Sequence, residues 1–525
     1  MSYISFGFVG FLLSSVILYG ICPRKFRWIV LLLFSCGYYL CGGIRAMAYL
    51  CFTVLTTWTA GLILDHLNGL RKEIPKSDKT ALDGNKKRKQ ITVAVTLLLN
   101  FGMLWMLKYL DFTVGTVTGL LENIGISWNP AVPDFVMPVG VSFFIFQSVG
   151  YVIDCYRGKY PAQKNPAKFA LFVSFFPQMV QGPISRYDRL APQLTEGKPL
   201  NADDLREGIM RILWGYFKKM VIADRAGVAV SAFFADYGSY SGTVTAMAIL
   251  LYCINLYCDF SGGIDITIGS ARLFGITMEE NFRRPIFAEN LAEYWRRWHI
   301  TLGGWMRDYV FYPISLSPAF GKFGKWSRNK FGGKPGKIMP TSAATFIVYL
   351  IIGIWHGANF RYIAYGFWNG AVITSSILLA NVYSDWKKKL NIDDKSRYWK
   401  WFGMVRTWFL VFLGRYITRS PRLLTGLALI GHTFNPMAAR ISDLWNGTML
   451  TLGLSGTDYA VIALAAAVML AVEWFEETHE PLSDALAKKN GFIQWLAMAI
   501  PLLAILFFGI YRDSYISSAF IYGAF

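Results

Sequence analysis

Apolar runs near the length of a membrane crossing recur from one end of this chain to the other, and no other feature restricts its fold as tightly. A helix rising about 1.5 Å per residue needs roughly 20 apolar residues to cross a hydrocarbon layer ~30 Å thick. Stretches that meet or approach that length are 4–21, 28–42, 46–66, 91–110, 135–153, 208–234, 243–260, 362–382, 401–418, 457–474 and 492–510. Lipid offers the backbone no hydrogen bonds, so such runs are read as helices. Composition agrees, because only 16% of the residues are charged, where a soluble chain carries about a quarter. The expected fold is an all-α polytopic membrane protein with about 11 spanning helices. No stretch has the composition of a linker, so residues 1–525 read as a single domain.

A net charge of +19 raises the question of nucleic acid. Its placement answers the question. Residues 71–90 hold eight Lys/Arg against three acids, residues 321–337 six against none, and residues 384–400 six against three. Short basic loops beside apolar spans are the positive-inside signature, set by an anionic cytoplasmic leaflet. No base-reading module accompanies them, so no nucleic-acid partner is expected. The N-terminus lacks the basic n-region and cleavage site of a secretory signal. Threading alternate sides puts the N-terminus outside, Arg24–Arg27 inside, Gly42–Arg45 outside, 71–90 inside, the polar 111–133 loop outside and Tyr156–Lys168 inside.

Three pieces do not read as simple spans. Residues 169–183 are interrupted by Pro177 and Pro183. Residues 341–355 would be about 22 Å long as a helix, short of a crossing. Residues 285–314 mix aromatics with Glu289, Glu293, Arg296, Arg297, His299, Arg307 and Asp308. Backbone that stops at membrane depth is tolerated when buried in protein or lining a cavity. Short re-entrant or interfacial helices around a cavity are therefore expected. No pair of broken helices recurs in matching halves, as an inverted-repeat transporter would have.

Several chemistries find no support. The seven cysteines sit mostly inside apolar runs, with no C-x-x-C pair and no histidine at ligand spacing, and read as buried and inert. No metal site is expected. There is no phosphate-cradling or dinucleotide-binding glycine loop, no H-E-x-x-H and no G-x-S-x-G elbow.

The five histidines divide clearly. His66 closes an apolar run beside a basic segment and His479 lies in the acidic EWFEETHE; both read as solvated or interfacial. His432 leans structural. His356, in GIWHGANF, follows an apolar run with no acid near it in sequence. An ionisable group at membrane depth is a functional hypothesis by default. The competing reading is a histidine that hydrogen-bonds neighbouring helices. Burial away from charge keeps an imidazole neutral, the form a general base requires.

His299 lies in AENLAEYWRRWHITLGGWMRDYVFYPI. As one helix, this segment pairs Glu293 with Arg297 at i,i+4 and puts Arg296 and His299 at i,i+3. An interfacial amphipathic helix with snorkelling arginines accounts for much of that pattern. The density of charges fits better against a protein-lined cavity. The segment 255–276 sets Asp259, Ser261 and Asp265 in apolar surroundings, and Gly262 with Gly263 would loosen a helix there. Carboxylates facing a basic partner explain it as well as catalysis does.

Taken together, EYWRRWHITLGGWMRDYVFYPI and, 57 residues beyond His299, His356 in GIWHGANF resemble the signature of the membrane-bound O-acyltransferase superfamily. MPVGVSFFIFQSVGYVIDCYRGK, FVSFFPQMVQGPISRY, YCDFSGGIDITIGSARLFGI and the closing FIYGAF resemble segments of its bacterial branch. In pattern the chain is similar to the alginate O-acetylation membrane proteins and the D-alanyl-lipoteichoic acid transfer proteins. Two departures bear on the acceptor and donor: YPISLSPAFGKFGKW replaces a PLGGNR-type segment, and FSGGID replaces FSGYSD.

The resemblance implies a ring of tilted helices around a central tunnel, in a multi-pass protein of the bacterial cytoplasmic membrane. It implies that His356 is the general base and that His299 orients the donor or polarises its carbonyl. Asp259, Ser261, Glu293, Arg296, Arg297 and Trp298 are expected along the tunnel, as are Trp355 and Asn359. No tightly bound cofactor is implied. The co-substrate would be an acyl thioester, acetyl-CoA or an acyl carrier protein. The lipid bilayer apart, the partners would be a polysaccharide acceptor and an extracytoplasmic acyltransferase of SGNH or similar type. Acetyl is the acyl group favoured by the pattern, and D-alanyl delivered to teichoic acid by a carrier protein is the alternative. A transporter or flippase for an anionic substrate is the rival from another class, and a structural scaffold a third reading.

Overall fold

A computed structural model of the chain describes residues 1–135 and 137–511. The closing FIYGAF lies outside them. Among the described residues the fold is helical throughout, and extended pairing is confined to an isolated bridge between Phe282 and Trp298. Six helices are long and apolar enough to cross a membrane: Ile44–Glu73, Lys79–Lys108, Gly242–Arg272, Pro335–His356, Gly456–Thr478 and Gly491–Phe508. A seventh arises if Phe360–Leu378 and Ala380–Lys389, bent by 62° at their junction, count as one span. The protein is a multi-pass membrane protein.

The remaining expected spans form helices of a different kind. Phe6–Ile21 and Arg27–Leu40 are 16 and 14 residues long. Val141–Arg157 is 17 residues long and buried almost all round, with Gln147 and Asp154 among its buried groups. The stretch 208–234 is divided among Ala202–Tyr216, a π-helical turn Phe217–Ala223 and Asp224–Ala235. It carries Lys218, Lys219, Asp224 and Arg225, all buried. Arg397–Arg419 is 23 residues long and carries Arg406, Arg415 and Arg419. These segments need protein rather than lipid around them.

The basic stretches, expected as loops, are largely helical, with short turns at 74–78 and 390–396. Lys and Arg are good helix formers, so Ile44–Glu73 runs past His66 and ends only in the basic segment. Lys79–Lys108 begins there, with the Asp78 side chain accepting from the Ala81 N–H at 2.9 Å. The polar 111–133 stretch likewise begins as helix Leu110–Glu122. Pro318–Phe331 forms a basic helix that overlaps 321–337. The next helix, Gly333–His356, absorbs Pro340 and so is 24 residues long. The short helix expected over 341–355 is thus long enough to cross, because the Gly/Lys/Pro stretch before it is wound as well.

Around Pro177 the expectation of a short, buried piece is met. Helix Pro166–Ser174 stops after nine residues, and Phe176–Gln178 is a buried 3₁₀ turn. The Gly262 region differs. Gly242–Arg272 is one uninterrupted helix of 31 residues. A Cβ at Gly262 would lie 2.8 Å from the Gly215 carbonyl oxygen, so this glycine admits a neighbouring backbone rather than loosening its own helix. Of the cysteines, Cys155, Cys253 and Cys258 are buried, but Cys41 and Cys51 are exposed on the protein surface.

The described residues fall into two compact units. The first consists of Met1–Ile212 and Gly263–Glu279; the second consists of Leu213–Gly262 and residues 280–511. In the first, the buried Tyr3 hydroxyl donates to the Pro177 carbonyl at 2.7 Å, tying the N-terminus to the proline turn. Both His299 and His356 belong to the second.

Candidate active site

Two helices packed backbone to backbone place His356. Gly333–His356 and Phe360–Leu378 form a hairpin in which a Cβ at Gly353 would meet the Tyr362 carbonyl oxygen at 2.4 Å and the Gly366 Cα at 2.9 Å. Small residues are what allow membrane helices to approach this closely. His356 is the last residue of the first helix. Asn359 caps the second, its side-chain oxygen accepting from the Arg361 N–H at 3.1 Å. The expected tunnel-lining Asn359 therefore serves the turn that presents His356.

His299 is placed by a break, not by a helix face. Leu291–Arg297 ends, and Ile300–Met306 begins after His299, whose φ of +50° lies in the left-handed region. The single helix expected through this segment, with Arg296 and His299 on adjacent faces, does not form. A neighbouring strand-like segment overrides it. Arg283 donates to the Arg297 carbonyl and Ile300 to the Asn281 carbonyl, at 2.9 and 3.0 Å. The Asn281 side-chain oxygen accepts from the Thr301 N–H at 3.0 Å and the Thr301 hydroxyl at 2.9 Å, and it lies 3.3 Å from Nδ1 of His299. The Thr301 N–H, a fixed donor, orients the amide with its oxygen towards the ring, which assigns the proton to Nδ1 of His299 and leaves Nε2 as the acceptor nitrogen. Left-handed non-glycine backbone costs about 1–3 kcal/mol and persists where surroundings over-determine it.

The two histidines meet at Trp355. This buried indole lies 5.7 Å from the His299 ring and 5.0 Å from the His356 ring, and the imidazoles are within electrostatic reach of one another. His299 is 1% exposed and Phe260 packs edge-on to it at 4.9 Å. His356 is half-buried, with Tyr365 6.3 Å away. Trp298 belongs to the same aromatic wall, stacked on Tyr294 at 5.5 Å. Of the residues singled out in the sequence, then, His299, His356, Trp298 and Trp355 come together.

The others are engaged elsewhere. Arg297 donates to Glu293 at 2.7 Å and to Glu477 at 2.9 Å, and Arg284 reaches Glu477 at 3.0 Å. That network fastens the broken segment to helix Gly456–Thr478. Arg296 is exposed. Asp259 pairs with Lys219 at 2.6 Å, Lys219 reaches Asp224 at 2.7 Å, and Lys218 donates to Ser261 at 3.0 Å, all buried. These are carboxylates facing basic partners, one of the two readings open for 255–276. Asp265 pairs in the first unit with Arg211 at 3.0 Å. His432 contacts the Tyr240 carbonyl at 3.0 Å, a structural role, and His66 and His479 are exposed.

Two residues beside the histidines escaped the sequence reading. Asn281 sits in a loop and carries no chemical signature; only the fold reveals it. Arg415 did carry a signal, being an arginine inside an apolar run. It is 6% exposed, donates to the Tyr365 and Tyr294 hydroxyls at 3.3 and 3.0 Å, and lies over the Trp298 ring at 5.4 Å.

Comparison with known proteins meets this geometry. A family model described as MBOAT, membrane-bound O-acyltransferase family, matches residues 160–327, a stretch that includes His299. The chain is 30% identical over 396 residues to a probable alginate O-acetylase of Pseudomonas syringae pv. tomato, covering 75% of this chain and 70% of that protein. It is 30% identical to a peptidoglycan O-acetyltransferase of Helicobacter pylori, covering 54% and 55%, and 28% identical to a teichoic acid D-alanyltransferase of Bacillus subtilis, covering 53% and 68%. A helical multi-pass chain that gathers two distant histidines around one buried tryptophan, and is this similar to such relatives, belongs to the membrane-bound O-acyltransferase family and is an O-acyltransferase.

Proposed function

We propose that the protein, in a bacterial cytoplasmic membrane with its N-terminus outside, moves an acyl group from a cytosolic thioester towards hydroxyls of a cell-surface polysaccharide. Acetyl is the acyl group. The observation that carries the reading is the convergence of His299 and His356 on Trp355. Similarity to an alginate O-acetylase and a peptidoglycan O-acetyltransferase supports the acetyl donor and the polymer acceptor.

His356 acts as general base. It removes the proton of the acceptor hydroxyl as that oxygen attacks the thioester carbonyl. The C–O bond forms, the C–S bond breaks, and the proton passes from His356 to the departing thiolate, leaving an ester and a free thiol. His299, neutral with its proton on Nδ1, orients the donor through its Nε2 lone pair. Polarising a carbonyl would need a proton on that nitrogen. The buried aromatic wall lowers the local dielectric and strengthens both contacts.

His356→Ala should lower ester-linked acetate on the surface polymer by about 10²–10⁴-fold, the usual contribution of a positioned base. Unchanged ester content would sink the assignment. Similarity to teichoic acid D-alanyltransferases favours a second reading, D-alanyl from a carrier protein. Supplying each thioester to purified protein separates the two.

A further inference from the structure

Three arginines stand near the histidine pair: Arg415 lies over the rings of Trp298 and Tyr365, and Arg361 and Arg419 lie over Tyr362 and Phe234 respectively. Arg361 opens the helix after His356, and Arg415 and Arg419 close helix Arg397–Arg419. They are drawn together by shared partners. Nη1 of Arg361 donates to the Ser420 carbonyl at 2.6 Å and Nη2 to the Tyr362 hydroxyl at 3.2 Å. Arg419 lies over Phe234 at 4.6 Å and Tyr252 at 6.0 Å, and Tyr252 is within electrostatic reach of Arg415 as well. Arg361 and Arg419 are close enough for their charges to repel. Tyr362, beneath Arg361, packs on Gly357, the residue after His356.

The cluster lacks counter-charge. Among the described residues none of the three arginines forms an ion pair with a carboxylate, and Nε of Arg361 is buried without a hydrogen-bond partner. Removing guanidinium groups from water costs several kcal/mol each unless an opposite charge compensates. Elsewhere in this unit the fold supplies that compensation, as Glu293 and Glu477 do for Arg297. Three converging guanidinium groups that the chain leaves without carboxylates suit a carboxylate or phosphate presented by a ligand, since the planar fork binds both in two-pronged fashion.

The topology says which ligand. Helices Gly333–His356 and Arg397–Arg419 begin in the basic stretches 321–337 and 384–400, and Phe360–Leu378 leads into helix Ala380–Lys389, which enters the second of them. By the positive-inside rule those ends are cytoplasmic. His356 and the arginines therefore lie at the outward end, where an acceptor would arrive. We propose that Arg361, Arg415 and Arg419 form an anion site that binds a carboxylate or phosphate on the acceptor chain and so seats its hydroxyl at His356. The role in transfer rests on the proposed function; the binding itself does not.

The test uses the full chain in discs of neutral phospholipid, with a fluorescent oligouronate, an oligo(glycerol phosphate), the methyl-esterified oligouronate and coenzyme A as probes. At least one anionic oligomer should bind wild-type protein, and the neutral ester should bind tenfold or more weakly. Arg361→Gln and Arg419→Gln should each weaken anion binding by about tenfold or more, while Arg361→Lys, which keeps the charge, retains most of it and shows that the loss is not misfolding. Equal binding of acid and ester, or unaltered binding in the glutamine variants, would overturn the site. Coenzyme A binding lost in those variants with oligomer binding intact would overturn the acceptor and give the site to the donor. Anion binding abolished by adding phosphatidylglycerol to the discs would give it to a lipid headgroup and overturn it equally. His356→Ala should leave oligomer binding intact. Ester formation that survives in His356→Ala alongside intact binding would refute the catalytic reading alone.

Discussion

Asn281→Ala is the perturbation that most directly probes how His299 is held. The residue is fully buried, and its one side-chain oxygen receives the Thr301 N–H and hydroxyl and faces Nδ1 of His299. The hydroxyl can rotate to another acceptor; the backbone N–H and the ring nitrogen cannot. Each fixed donor that loses a buried acceptor costs about 1–3 kcal/mol, or roughly 2–6 kcal/mol together. Relaxing the left-handed backbone at His299 would return on the order of 1–3 kcal/mol. The net loss is therefore a few kcal/mol, and relaxation favours joining Leu291–Arg297 and Ile300–Met306 into one helix. That would turn the imidazole away from Trp355. A misplacement of about 1 Å can cost ~10²-fold in rate. The assay is thiol release and ester formation by purified protein, with thermal midpoints measured in parallel. Asn281→Ala should lose transfer at temperatures where it is still folded. Wild-type transfer by Asn281→Ala would refute the view that this side chain sets His299.

Two further substitutions test other parts of the unit. Gly353→Ala forces a Cβ to within 2.4 Å of the Tyr362 carbonyl oxygen; overpacking of this kind costs about 1–3 kcal/mol, and ester formation should fall more than the thermal midpoint does as His356 shifts. Lys219→Met leaves Asp224 and Asp259 buried without their shared cation, a loss of about 3–5 kcal/mol, so folded yield should collapse, and adding Asp259→Asn should restore part of it.

The sequence made the helical membrane class and both histidines legible, because apolar length and a histidine in apolar surroundings are local signals. The boundaries were less so. The lysine-, glycine- and proline-rich stretch before residue 341 looks like a loop, yet it winds into the helix that ends at His356. The break at His299 has no local cause. Leu291–Arg297 is good helical sequence with no glycine or proline to stop it, and the pairing of Asn281–Arg283 with the segment imposes the turn. Glu293 and Arg297 do pair as their spacing suggests, but a third partner, Glu477, lies 180 residues beyond Arg297 and makes the pair an anchor. Arg415 was legible in kind but not in place, since nothing in a linear run tells which face of a helix meets Tyr294, Trp298 and Tyr365.

His356 ends a helix long enough to cross the bilayer, whereas His299 sits on two seven-residue helices that are not. Bilayers of different thickness make long apolar helices tilt to match them, and the segment bearing His299 is fastened through Arg297 and Glu477 to another such helix, Gly456–Thr478. Each imidazole is thus carried by, or tied to, a helix that answers to acyl-chain length, and the membrane itself becomes a term in the alignment of this pair.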